Sequence, residues 1–151
     1  MGHQPELQIE QRKLLDLHLE LVLKENERSN LTRIVDWQQG QLLHIEDSLV
    51  GLQEFEDAPS GRAADLGSGG GFPGIPLAIV SGRPIMLVDS VAKKTTALDR
   101  MIEELGLEGQ VSTYTGRSEE LALEMPESKV GEPMVSLPRR PGMAQKRPYK
   151  A

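Results

Sequence analysis

The chain has no cysteine. That removes disulfides, thiolate nucleophiles and cysteine-based zinc sites, and it suits a reducing compartment. Aromatic residues are also scarce, at 3% of the chain. Base-stacking platforms therefore do not dominate any contact with RNA. No apolar run approaches the roughly 20 residues needed to cross a bilayer. The first ten residues, MGHQPELQIE, show no basic segment followed by an apolar one, so no signal peptide is expected. The expectation is a cytoplasmic protein with no membrane partner.

What is present is an acidic globular composition: 38% apolar, 26% charged, with a net charge of −6 over 151 residues. The charge is uneven. From Pro126 onward there are six cations (Lys129, Arg139, Arg140, Lys146, Arg147, Lys150) against two acids (Glu127, Glu132). The body is acidic and only the tail is basic, which argues against strong autonomous RNA binding.

Periodicity divides the chain. Leu7, Leu14, Leu15, Leu21 and Val22 recur at helical spacing. A second helix is expected from about Trp37 to Phe55. Residues 1–57 thus form an N-terminal helical segment. The pattern then alternates. RAADL reads as a strand, GIPLAIVS as a helix and PIMLVDS as a buried strand. AKKTTALDRMIEELGL is an amphipathic helix with Gly106 near its C-cap, QVSTYTG a third strand, and SEELALEM the start of another helix. This predicts an α/β fold over 58–125, with parallel strands joined by crossovers as in half of a doubly wound sheet. Residues 126–151 lose the period and read as an irregular, basic, proline-rich tail.

Between the first strand and the next helix lies DLGSGGGFPGIP, Asp65 to Pro76. Two templates fit. Gly69, Gly71 and Gly74 match G-x-G-x-x-G, a weak dinucleotide signature. Asp65, Gly67, Gly69 and Gly71 match D-x-G-x-G-x-G, the first motif of class I methyltransferases. The acid favours the second. A carboxylate at the strand end repels a pyrophosphate but tolerates the ammonium and sulfonium of S-adenosylmethionine, while loop amides receive that cofactor's carboxylate. A purely structural turn remains the third reading. Asp89 ends the second strand about 20 residues on, where an acid accepts ribose hydroxyls. With Ser90 beside it, the alternative is a helix N-cap.

These residues, together with LVDSVAKKTTAL, GRSEEL, NLTRI and HIEDSL, resemble the small-subunit (16S) ribosomal RNA guanine-N7 methyltransferase family, RsmG or GidB. The resemblance spans about Leu14 to Leu123. It implies a class I, Rossmann-like fold, S-adenosylmethionine as cofactor, and 16S rRNA or the small ribosomal subunit as partner. It also implies cofactor contacts from Gly67 and Phe72, and from Ser118 and Glu119 beside the adenine. The last two also read as a helix start.

Other candidates are weaker. His44 and Asp47 lie three apart on one helix face, either as a structural bond or as shapers of the substrate face. Asn30 reads as a cap or a substrate-face residue. Lys93 and Lys94 start a helix near the crevice, either meeting phosphate or simply solvated. No metal site is expected, and no catalytic residue is assigned.

The family places an Arg-bearing segment on a fourth strand. VSLPRRPGM is split by prolines and reads as no strand. The expectation is therefore a chain truncated or frame-shifted after about residue 125, with the first strand unpaired on one edge and prone to self-association. Two alternatives remain for the whole: a dinucleotide-binding domain, or a non-catalytic RNA or protein interaction fragment.

Overall fold

In a computed structural model, residues 6–58, 62–67, 69–117, 119–120 and 134–136 are described, the last three by backbone alone. Helix α1, Ile9–Ser29, buries the stripe Leu15, His18, Leu19, Val22, Glu25 and Ser29. It ends at Asn30, in the left-handed region at φ 47°, whose N–H donates to the Asn26 carbonyl.

The expected helix from Trp37 to Phe55 is broken. Asp36 caps α2 (Trp37–Gly40) by accepting from the Gln39 N–H at 3.0 Å. A π-helical turn follows, Gln41–Glu46, then α3 (Asp47–Val50) and α4 (Leu52–Asp57). Two features set the breaks. Gly40 lies against Leu19, where an added Cβ would come within 2.6 Å of Leu19 Cδ1. The π turn adds a residue per turn and brings His44 and Ile45 inward.

The α/β unit comprises β1 (Arg62–Leu66), α5 (Gly74–Ser81), β2 (Ile85–Asp89), α6 (Ala92–Leu105), β3 (Val111–Thr115) and β4 (Met134–Ser136). All pairings are parallel and the strand order is β3-β2-β1-β4. Leu66 stands opposite Val88 and Asp89 opposite Thr115, so three strands end level at one sheet edge.

Two expectations about the tail are corrected here. Residues 126–151 are not wholly irregular, and β1 has no open edge. Met134–Ser136 pairs with Arg62, Ala63 and Ala64 in the position of a fourth strand. The prolines bracket this strand rather than interrupt it. Pro133 precedes it and Pro138 follows after Leu137. Of the four residues between the two prolines, three pair with β1, so the edge expected to be open is occupied.

One hydrophobic core joins the helical segment to the sheet. It runs from Leu15 and Leu19 through Phe55 and Ile75 to Leu87, Leu98 and Val111. Helix α1 is also tied to α6 by charge. Glu25 accepts from Arg100 through both carboxylate oxygens, each at 3.0 Å, and from Arg28 at 2.8 Å. Those bonds, Arg100's foremost, hold the Glu25 carboxyl down to about 2. Arg100→Ala should cost about 1–2 kcal/mol, since a bidentate bond to a buried acid is lost. Arg28→Ala, removing a more exposed partner, should cost about 0.5 kcal/mol or less. Urea midpoints for the two variants compare them directly, and equal losses would contradict the ranking.

Candidate cofactor site

The site begins where β1 runs out. Gly67 turns the chain at φ 72° while its N–H still donates to the Val88 carbonyl at 2.7 Å. Gly69 and Gly71 also sit at positive φ, 61° and 92°, a region that side chains enter only with strain. The loop then delivers α5. The Ile75 N–H reaches back to the Gly71 carbonyl at 2.7 Å.

Asp65 lies beneath this loop. It is buried, and its Oδ2 accepts from the Gly74 N–H at 3.0 Å. One carboxylate oxygen thus fixes the start of α5 from inside the fold. Gly74 is needed for the approach, because an added Cβ would lie 2.8 Å from that oxygen.

At the end of β2, Asp89 is also buried, and its Oδ1 accepts from the Val91 N–H at 2.9 Å. This bond closes a turn before α6, whose N-cap residue is Val91, so Asp89 is not the helix N-cap weighed in the sequence as the alternative to ribose binding. The Asp89 carbonyl accepts from the Gly116 N–H at 2.9 Å, so the loops after β2 and β3 are joined. Thr95 and Thr115 add a hydroxyl contact of 2.6 Å between α6 and the end of β3. Ser90, Lys93 and Glu119 are exposed nearby. Ser118 lies outside the described residues. The structure therefore gathers Gly67, Gly69, Gly71, Asp89 and Ser90 at the same sheet edge.

Phe72 is buried just past the glycines. Its ring is sandwiched between two imidazoles, His18 at 4.4 Å and His44 at 4.2 Å between centroids. Both faces are covered, leaving only the ring edge and the backbone for a ligand. His44 is buried and its Nε2 is 2.8 Å from Thr32 Oγ1, a bond from helix to loop. Asp47, three residues on, is partly buried, and its N–H reaches the carbonyls of both His44 and Leu42. Asn30 is exposed at the end of α1 and serves as its C-cap.

His18 was not singled out in the sequence. It is fully buried, its Nε2 is 2.7 Å from the Gly70 carbonyl, and burial lowers its pKa to about 4. A signal was there. His18 occupies a position on the apolar stripe of α1, where a polar residue needs a partner. Among the described residues no group of three or more His, Asp or Glu is placed to hold a metal, and no helix is long and apolar enough to cross a membrane.

A parallel sheet in this order, with a glycine loop after β1 and an acid closing β2, defines a Rossmann-like fold of the class I methyltransferase type. Solved structures agree on the fold. A putative O-methyltransferase from Klebsiella pneumoniae superposes with TM-score 0.52 at 21% identity, over 73% of this chain and 48% of that one. An O-methyltransferase from Bacillus cereus, solved in complex with SAH, gives 0.51 at 26% identity, over 73% and 50%.

The family model for rRNA small subunit methyltransferase G matches residues 11–129, and the chain belongs to that family. Ribosomal RNA small subunit methyltransferase G of Synechococcus elongatus is 40% identical over 122 residues, covering 80% of this chain and 49% of the relative. The protein of that name in Prochlorococcus marinus is 46% identical over 105 residues, covering 67% and 42%. The chain thus spans about half the length of these curated relatives.

Proposed function

We propose that the loop from Gly67 to Gly74 binds S-adenosylmethionine, and that the chain serves methyl transfer to N7 of a guanosine in 16S rRNA, in the cytoplasm and on the small ribosomal subunit. The observation that carries the reading is the loop itself. Three glycines at positive φ follow β1, and a buried acid anchors the helix that comes next. Membership of the rRNA small subunit methyltransferase G family supplies the substrate class.

The chemistry asks little of side chains. N7 of guanine carries a free lone pair at neutral pH. It attacks the cofactor's methyl carbon in line with the departing sulfur. The N–C bond forms as the C–S bond breaks, the sulfonium becomes a thioether, and the positive charge passes to the purine. No proton has to be removed, so positioning and exclusion of water suffice.

In that arrangement the loop amides and the N-terminus of α5 receive the cofactor's carboxylate. The loop after β2, with Asp89 and Ser90, and the loop after β3, with Glu119, border its nucleoside. Gly69→Val tests the loop. A branched side chain at φ 61° is strained and stands where the ligand must approach. Calorimetry should show S-adenosylmethionine binding to the parent chain and at least about a hundredfold loss in the variant. Equal affinity in both would remove the loop from the site. Transfer of labelled methyl to 16S rRNA, followed by nucleoside analysis, tests the substrate. Binding of NAD in place of S-adenosylmethionine would favour a dinucleotide-binding domain.

A further inference from the structure

His18 contacts the glycine loop in three ways. Its Nε2 stands 2.7 Å from the Gly70 carbonyl. Its ring stacks on Phe72 at 4.4 Å. A Cβ on Gly71 would meet its Nε2 at 3.2 Å. Since a carbonyl only accepts, the imidazole must donate from Nε2, which fixes the tautomer. Nδ1 is then a bare lone pair. It is buried and has no hydrogen-bond partner among the described residues.

Such an orphaned acceptor is a cost that phenylalanine or leucine would avoid in the same packing position. What only a donor-bearing ring supplies is the hold on Gly70. The Gly70–Gly71 peptide is trans, so its carbonyl and its N–H point in opposite directions. Drawing the carbonyl toward α1 turns the Gly71 N–H away from α1. The amide thus faces the side of the loop opposite the helix.

We propose that His18, from the N-terminal helix, is a positioning residue for the cofactor loop: its Nε2–H sets the Gly70–Gly71 peptide and so the direction of the amide donor that meets the cofactor's carboxylate. The ligand part of this inference rests on the S-adenosylmethionine reading. The positioning part does not.

Two variants separate donor from ring. His18→Phe keeps the stack on Phe72 and loses the N–H. His18→Gln keeps an N–H at the place of Nε2 and loses the ring. The probe is S-adenosylhomocysteine, titrated calorimetrically into each protein, alongside thermal melts. Amide exchange across Gly69 to Gly74 is followed without ligand.

The expected result is a split. His18→Phe melts within a few degrees of the parent yet binds about tenfold more weakly. Its loop amides exchange about tenfold faster while β2 and β3 keep their protection. His18→Gln restores both affinity and loop protection to within about threefold of the parent. A residue that only fills space would move stability and affinity together, and glutamine would not rescue. Unchanged affinity and unchanged loop exchange in His18→Phe would overturn the proposal. If the parent chain fails to bind S-adenosylhomocysteine, the cofactor reading falls, and loop exchange still decides whether His18 positions the peptide.

Discussion

Gly74→Ala should destabilise the fold by about 2–3 kcal/mol, the range expected when a methyl group is forced into a packed core. The new Cβ would stand 2.5 Å from Leu87 Cδ2 and 2.8 Å from Asp65 Oδ2. Neither neighbour moves freely. Leu87 is wholly buried, and Asp65 holds the Gly74 N–H with that same oxygen. Displacing the carboxylate also releases the first turn of α5, so the loop should lose its shape together with stability. Two other glycines calibrate the effect. Gly109 has open space around its missing Cβ, and alanine there should be neutral within about 0.5 kcal/mol. Gly106 has open space but φ 72°, so Gly106→Ala should cost about 1 kcal/mol from backbone strain alone. Urea denaturation of the three variants should rank them 74, 106, 109. A Gly74 variant as stable as the Gly109 variant would show that Leu87 and Asp65 yield without cost.

The second large effect is set by pH. His18 is held neutral in the fold, with its pKa lowered from 6.5 to about 4 by burial and, to a smaller degree, by the neighbouring His44, against the opposing pull of the Gly70 bond. The folded pKa lies below the unfolded one, so the unfolded chain takes up the proton first as pH falls. The stability that a neutral His18 permits is complete above 6.5 and is lost as pH falls toward 4. A shift of this size corresponds to roughly 3 kcal/mol across that window. Glu25 acts in a lower window. Its carboxyl lies at about 2 instead of 4.5, so its contribution is present above 4.5 and declines toward 2. The parent chain should therefore weaken between neutral pH and pH 5, before most carboxylates titrate, and His18→Phe should remove most of that early decline. Parallel urea curves at the two pH values test this. An early decline that persists undiminished in the variant would assign it to another group.

The elements legible in sequence were those with an uninterrupted period. PIMLVDS contains β2 because a strand covered on both faces is apolar throughout. AKKTTALDRMIEEL gave α6 because its apolar residues recur on one face before Gly106 at φ 72°. The glycine loop was legible because few other structures need glycine at Gly67, Gly69 and Gly71 together. Three features were not. The π turn at Gln41–Glu46 arises from how that segment seats against α1, which a helical period cannot express. Strand β4 is three residues long, too short for alternation to show, and its pairing depends on a partner more than 60 residues away in the chain. His18 belongs to the site only because α1 crosses the glycine loop. A histidine on an apolar stripe announces that it needs a partner, but not which one.

The Phe72 sandwich shows how the glycine loop is held by segments outside it. The family resemblance implies a cofactor contact from Phe72, which its backbone and ring edge leave open. In the fold its ring fills the gap between α1 and the π turn, and the loop is shaped from behind by His18, Phe72 and His44. The local sequence supplies the permissive backbone, and distant segments choose its conformation.

That dependence has a consequence for how the chain acquires its site. The bond from His18 to Gly70 closes a loop of 52 residues, and the bond from Arg100 to Glu25 closes one of 75. Closing such spans costs chain entropy before any contact returns it, and parallel strands add further non-local pairings. Helix α1 is complete in sequence long before its later partners: it can pack against the π-turn segment early, but α5 and α6, which it also packs against, come later in the chain. The glycine loop can be drawn tight only after that docking. Competence to hold a ligand should therefore emerge late in folding, as the first segment of the chain settles onto the last parts of the core.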